Sequence, residues 1–469
     1  MIDENWQAYL QDRHNADLED LLDFIRIPSV SARPDHMPEV RRAAGWVVNR
    51  MKIAGISDAE ILETDAHPVV FGSWMSAGPG KPTVMIYGHF DVQPAEPFDL
   101  WTTPPFEPEV RDGRVYGRGA TDDKGNMLAP ILAVEAMLKT TGSLPVNVKF
   151  LFEGQEEIGS PDMPKFVERY ADRLACDMIF SADGLQWAPD QPQLVEALKG
   201  IIAFEIILRG PKSDQHSGLH GGGIANPAMG LAQLLASMKS LDGVVTIDGF
   251  YDDVIALTDD DRSEIARVPY DETAYLAESG ATETFGEPNY STRERLWARP
   301  TLDVNGLTSG WQGDGGKTVL PAEARAKLTC RLVAAQQPGK ILDAIRAHVV
   351  KHCPTGLSAE VRRNSSWGDP FSVPPGHVST EIAAEVLELV YGKKPFRTRL
   401  GGSISVMTTL QKATGVHATM FGFAHADENL HAPDEFYRVE AFERAKLAYG
   451  LLLERVAKAY SLLVYMSAA

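Results

Sequence analysis

Thr83-Val84-Met85-Ile86-Tyr87-Gly88-His89-Phe90-Asp91 is the stretch that decides the fold. Its first five residues are an apolar, β-branched run that reads as a buried strand. Gly88 is expected to stop the run, and a histidine and an aspartate follow at once. The arrangement recurs downstream. Residues 146–152 read as a strand that runs into Glu153-Gly154-Gln155-Glu156-Glu157. Residues 178–181 form another, followed by Ala182-Asp183-Gly184, and residues 417–423 a further one, followed by Asp427-Glu428-Asn429-Leu430-His431. Asp122-Asp123 stands just before a helical pattern over residues 124–138. Strands alternating with helices predict an α/β sheet with mostly parallel strands. Such sheets bind ligands at the carboxyl ends of their strands, so these distant residues are expected to meet at one edge.

Working outward, residues up to Ile27-Pro28 read as an amphipathic helix carrying Leu10, Leu18, Leu21, Leu22, Phe24 and Ile25, and residues 40–54 as a second. The pattern changes near Lys199-Gly200. Strands are expected over 203–209, 324–333 and 357–362, and helices over 227–238 and 340–352. A long loop-rich stretch, 243–316, lies between them. This predicts a smaller α+β domain, 199–372, inserted into a catalytic domain formed by 1–198 and 373–469. Helices over 380–391 and 437–463 complete the second catalytic segment.

The chain has 469 residues, with 45 basic and 64 acidic side chains and a formal charge of −19. That excess argues against a nucleic-acid partner and against an anionic membrane surface. No stretch is long and apolar enough for a membrane span. The opening residues carry Asp3, Glu4, Asp12, Asp17, Glu19 and Asp20 and lack the pattern of a secretory leader. Cys176, Cys330 and Cys353 are widely spaced and read as thiols in a reducing compartment. A cytoplasmic address is expected.

Taken singly, each polar loop has an ordinary explanation: a structural histidine, a helix-capping aspartate, a solvated glutamate pair, a turn. Together, at the tips of apolar strands, they point to a metal centre. Two histidines and several carboxylates without cysteine suit zinc, and manganese or cobalt less well. Two divalent ions need one bridging carboxylate. Asp122, Glu157, Asp183 and a bridging hydroxide would balance their charge. Glu156 is then left beside the ions, free to act as general base. Asp91, two residues past His89, is placed to accept the other imidazole N–H.

At these residues the sequence resembles the dinuclear zinc peptidases of the aminoacylase, carnosinase and carboxypeptidase G group, peptidase family M-twenty, on its dipeptidase branch. Four segments carry the likeness: Gly88 to Pro94, Trp101-Thr102-Thr103-Pro104-Pro105-Phe106, Gly117 to Gly125, and Glu153 to Ser160. The resemblance implies that His89, Asp122 and Asp183 hold one zinc ion, and Asp122, Glu157 and His431 the other. It implies Glu156 as general base, Asp91 as the group orienting His89, and a cis bond between Asp122 and Asp123. Asp183, where carboxypeptidase-type relatives tend to have Glu, favours the dipeptidase and aminoacylase side.

In the inserted domain, Asp214-Gln215-His216-Ser217-Gly218 resembles the lid motif whose histidine stabilises the oxyanion in the partner subunit. Arg331 matches the arginine that clamps a substrate carboxylate, in a fork suited to a peptide C-terminus. Thr318, Asn305, Gly402 and Ser403 match further substrate contacts. Ala334 and Ser405 replace frequent prolines beside these segments, which bears on substrate preference alone. The implied protein is a homodimeric exopeptidase with two Zn2+ per subunit, cleaving dipeptides or very short peptides that carry a free carboxylate. An N-acyl amino acid amidohydrolase is the enzymatic alternative. A non-catalytic peptide- or amino-acid-binding protein on the same scaffold is the other, and the intact Glu156 argues against it.

Overall fold

The strand that begins at Thr83 does not stop at Gly88. It runs Thr83–His89, buried along nearly its whole length. A Cβ at Gly88 would lie 2.8 Å from Met127 Cβ and 2.9 Å from Asp123 Oδ2. Glycine here serves close approach of a helix to the strand, and a turn is not required. The protein is described by a computed structural model covering residues 5–402 and 404–468.

Thr83–His89 pairs in parallel with Asn147–Glu153 and, on its other side, with Met178–Ser181. Ala418–Met420 extends the parallel set beyond Met178–Ser181. Val69–Trp74 and Glu60–Leu62 add antiparallel strands past Asn147–Glu153, giving a six-stranded mixed sheet. His89 lies level with Glu153, and Ser181 level with Tyr87 and Met420. The four parallel strands therefore end along one edge, where the polar segments follow. Helix Gly125–Thr141 is buried on almost every side, as a helix enclosed by other elements must be. Its core partners include Phe150, Phe152, Val386, Tyr437, Phe442 and Leu452.

The chain divides into two compact units, one of residues 1–196, 373–397 and 404–469, the other of 197–372 and 398–403. Residues 398–403, expected in the catalytic part, thus group with the second unit. The reason is local: Lys199 N donates to Leu400 O at 3.2 Å, and Arg399 pairs with Asp261 at 2.5 Å.

The second unit is built on a four-stranded antiparallel sheet in the order Thr301–Ser309, Glu323–Leu332, Gly200–Arg209, Ser358–Gly368. Ile202, Phe204, Ile206 and Leu208 face one side with strand periodicity and meet Leu231, Leu234, Ile341 and Ile345 in a separate core. Helices Pro227–Met238 and Pro338–His352 supply those partners. The stretch expected to be loop-rich holds helices Asp259–Arg267, Glu272–Ser279 and Thr292–Ala298, and the edge strand Thr301–Ser309.

Candidate metal centre

His89 ends its strand fully buried. Its Nε2 lies 3.1 Å from Asp122 Oδ1, and its Nδ1 lies 3.1 Å from the carbonyl oxygen of Asp91. The Asp91 carboxylate is 3.4 Å from the same nitrogen. Its two oxygens instead accept from the main-chain N–H groups of Glu156 and Glu157, both at 3.1 Å. Asp91 therefore does more than face His89: it also anchors the short turn Glu156–Ile158 that follows strand Asn147–Glu153. Gln93 Nε2 donates to Glu157 Oε2 at 2.8 Å, fixing one oxygen of that side chain.

Asp122 sits in the centre of the cluster. Its second oxygen lies 2.9 Å from His431 Nε2, and that nitrogen is 3.4 Å from Glu157 Oε2. One aspartate oxygen thus faces each histidine. The Asp122–Asp123 bond is cis. Asp183 follows strand Met178–Ser181 and completes the group. His89, Asp122 and Asp183 bring ligand atoms within 4.8 Å of one another, and so do Asp122, Glu157 and His431.

The electrostatics are those of crowded buried acids. Burial pushes the Glu156 carboxyl well above the ordinary carboxylate range; His89 opposes this, while Asp183, Asp91 and Asp122 add to it. Burial likewise raises Glu157, with Asp122 adding to it, and takes Asp183 up to about 6. Asp122 moves the other way: against its burial, the hydrogen bonds from His431 and His89 hold it down. Glu157 Oε1 and Asp123 Oδ1 are buried with no hydrogen-bond partner among the described residues. Cations relieve such an arrangement, and imidazole with carboxylate is a donor set for divalent ions. The residues fit two divalent ions: His89, Asp122 and Asp183 would hold one, and Asp122, Glu157 and His431 the other.

The remaining residues read from the sequence lie in the second unit. His216 ends the strand Gln215–His216, which pairs with Val319–Leu320. Thr318 is its neighbour, since Ser217 N donates to Thr318 O at 3.1 Å. His216 Nδ1 accepts from Gly218 N at 3.0 Å. A neutral ring accepting at Nδ1 carries its proton on Nε2. Arg331 lies on the central strand Glu323–Leu332, opposite Ile201 and Thr301. Asn305 is at the register shift between Val304 and Gly306 on the edge strand. Gly402 is exposed. Ser403 lies outside the described residues.

The sequence reading missed the residues that hold the metal loops together. Glu435 and Arg118 form a fully buried ion pair at 2.5 Å. Glu428 accepts from Thr121 Oγ1, from His425 N and from Arg438. Asn126 links Thr121 O to Phe423 N and the Tyr437 hydroxyl. Arg118 and Glu435, Thr121 and Glu428, and Asn126 and Phe423 stand about 300 positions apart in the chain, so no local pattern announces these pairs. The one available signal was the acidic density of Asp427 to Glu435 itself.

Residues 85–455 match the family described as Peptidase family M20/M25/M40. The chain is 31% identical over 445 residues to the Cys-Gly metallodipeptidase DUG1 of Candida albicans, covering 89% of this chain and 90% of that one. It is 30% identical over 399 residues to the Beta-Ala-His dipeptidase of Homo sapiens, covering 82% and 77%. The solved structure of an M20 family metallo-carboxypeptidase, Sso-CP2 from Sulfolobus solfataricus, aligns with a TM-score of 0.80 at 29% identity, covering 94% and 99%. Among the described residues no helix is long and apolar enough to cross a membrane. The motifs at the strand ends, the two ligand groups sharing an aspartate and a match across most of the chain agree: this chain belongs to peptidase family M20/M25/M40.

Proposed function

We propose that this protein is a metal-dependent dipeptidase that hydrolyses dipeptides or very short peptides with a free carboxylate. The observation that carries the reading is the pair of three-ligand groups joined through Asp122, with the Glu156 carboxyl beside them. The dipeptidase relatives support the substrate class. When bound, two divalent ions, with zinc favoured by the donor set, polarise a scissile carbonyl and bring the pKa of an attacking water towards roughly 7.

The chain's own residues supply the rest. Glu156 takes the proton from water and delivers it to the leaving amine as the C–N bond breaks. Asp91 holds the Glu156–Glu157 turn through both main-chain N–H groups. His216, with Nδ1 occupied by Gly218 N, offers Nε2–H to the oxyanion. In this reading it does so across a homodimer formed through the inserted unit, as the family resemblance implies. Arg331 grips the substrate carboxylate as a two-point fork, and Thr318, Asn305, Gly402 and Ser403 are further substrate contacts in this reading, as the family resemblance implies. A cytoplasmic location completes the proposal.

The amidohydrolase alternative shares the same chemistry, an amide next to a free carboxylate. A direct comparison separates them. Zinc-loaded protein is assayed with an Ala-Ala type dipeptide, a tripeptide and an N-acetyl amino acid. The dipeptide is expected to turn over fastest. Turnover of the N-acetyl substrate alone would overturn the dipeptidase assignment.

A further inference from the structure

Glu435 is filled to capacity by donors. Its Oε2 meets the Arg118 guanidinium at 2.5 Å and accepts from Gly119 N at 3.0 Å. Its Oε1 accepts from Thr121 N at 3.1 Å and from Asp122 N at 3.2 Å. A carboxylate offers about four lone-pair sites, so Glu435 has nothing left for an ion. It lies four residues after His431, on the approach to strand Phe436–Arg438, which pairs with Arg114–Tyr116. The loops bearing Asp122 and His431 therefore leave the same short ladder. One carboxylate sets the place of both.

A second anchor holds the His431 loop from outside. Asn429, His431 and Asp434 have φ of 55°, 58° and 55°. Side chains other than glycine adopt such values rarely, and surrounding contacts must hold them there. The Asp434 carboxylate accepts from Thr102 N at 2.8 Å and from Thr102 Oγ1 at 2.7 Å. The neighbouring Trp101 ring lies 5.4 Å from the Arg118 guanidinium carbon. This gives a use to Trp101-Thr102, a segment the proposed chemistry leaves idle.

We propose that Glu435, clamped by Arg118, is a positioning residue that fixes Asp122 against His431, and that the Thr102–Asp434 contact supports the same loop. The proposal rests on the two-metal reading above. If the buried ion pair served stability alone, removing it would lower the melting temperature and leave metal affinity unchanged.

The test uses the full chain as wild type, Glu435→Gln and Thr102→Val. Each is stripped of metal and titrated with zinc against a chromophoric chelator. The melting temperature of each metal-free protein is recorded as well. Partners of metal ligands typically change affinity by roughly 10- to 100-fold, and E435Q is expected to weaken zinc binding by that amount. T102V, altered at an exposed position, is expected to fold normally and weaken one of the two zinc ions. Unchanged zinc affinities in a folded E435Q would overturn the proposal, whatever its melting temperature. Should E435Q not fold, T102V decides, and wild-type affinity for both ions in T102V would overturn it. Wild type binding two ions beside unchanged variants removes this inference alone. Wild type binding none removes the two-metal reading beneath it too.

Discussion

Replacing Asp91 by Asn perturbs the turn that carries Glu156 and Glu157 without altering either side chain. The carboxylate is fully buried and accepts one main-chain N–H on each oxygen, from Glu156 and Glu157 at 3.1 Å. Asparagine keeps the shape and offers one acceptor oxygen. Its amide NH2 would then face the other main-chain N–H, donor against donor. A buried polar group left without its partner costs about 1–3 kcal/mol. In a rate that corresponds to roughly 5- to 150-fold. The carbonyl oxygen of Asp91, 3.1 Å from His89 Nδ1, survives the substitution, so the ring keeps a partner. The loss should fall on the Glu156–Glu157 turn, and so on kcat at saturating zinc. The assay is kcat for an Ala-Ala type dipeptide at saturating zinc, for wild type and D91N. A kcat for D91N within twofold of wild type would mean that the Glu156–Glu157 turn does not depend on this carboxylate. So would a loss that excess zinc restores completely, because the turn would then be unaffected.

Three further outcomes are expected. His216→Ala should lose roughly 10²–10³ in kcat, the usual cost of one oxyanion donor. Mixing inactive H216A with inactive E156A subunits should restore part of the activity, because His216 is proposed to serve the other subunit. No recovery on mixing, with subunit exchange verified, would place His216 in its own subunit's reaction. Arg331→Ala should raise KM for a dipeptide and remove discrimination against the C-terminal amide; an unchanged preference for the free acid would exclude the clamp. Glu135→Ala should destabilise the first unit by about 3–5 kcal/mol, the usual effect of breaking a buried pair. Glu135 is buried at 2.5 Å from Arg50 and accepts from the Tyr9 hydroxyl at 3.0 Å. A urea midpoint equal to that of wild type would contradict this.

Much of the first unit was legible because burial writes itself into its strands. Residues 83–87 are apolar almost throughout, Phe150-Leu151-Phe152 form a second apolar run, and the polar residues after them are conspicuous. The antiparallel strand Val69–Trp74 went unread, although Val69-Val70-Phe71 carried the same signal. The inserted stretch failed for a different reason. Helix Asp259–Arg267 buries Ile265 alone, so it has no apolar stripe to find. Its start was nevertheless written in the Thr258 and Asp261 capping box, and another box, Ser291 with Glu294, opens helix Thr292–Ala298. At the metal centre the side chains that face the ligand groups were readable. The residues that hold them, Glu435, Arg118 and Asn126, were not, because their partners are brought close only by the folded sheet.

The central claim is a two-metal centre with Glu156 as its base, and one comparison reaches it most directly. Wild type and Glu156→Ala are purified, loaded with zinc, freed of excess metal, and measured together for metal content and dipeptide turnover. Close to two ions per subunit are expected in both proteins, with turnover in the variant lower by at least the roughly 10²–10⁴-fold expected of a general base. Wild-type turnover by the variant, or a wild-type chain that holds no zinc while hydrolysing the dipeptide, would rule out a two-metal centre with Glu156 as base.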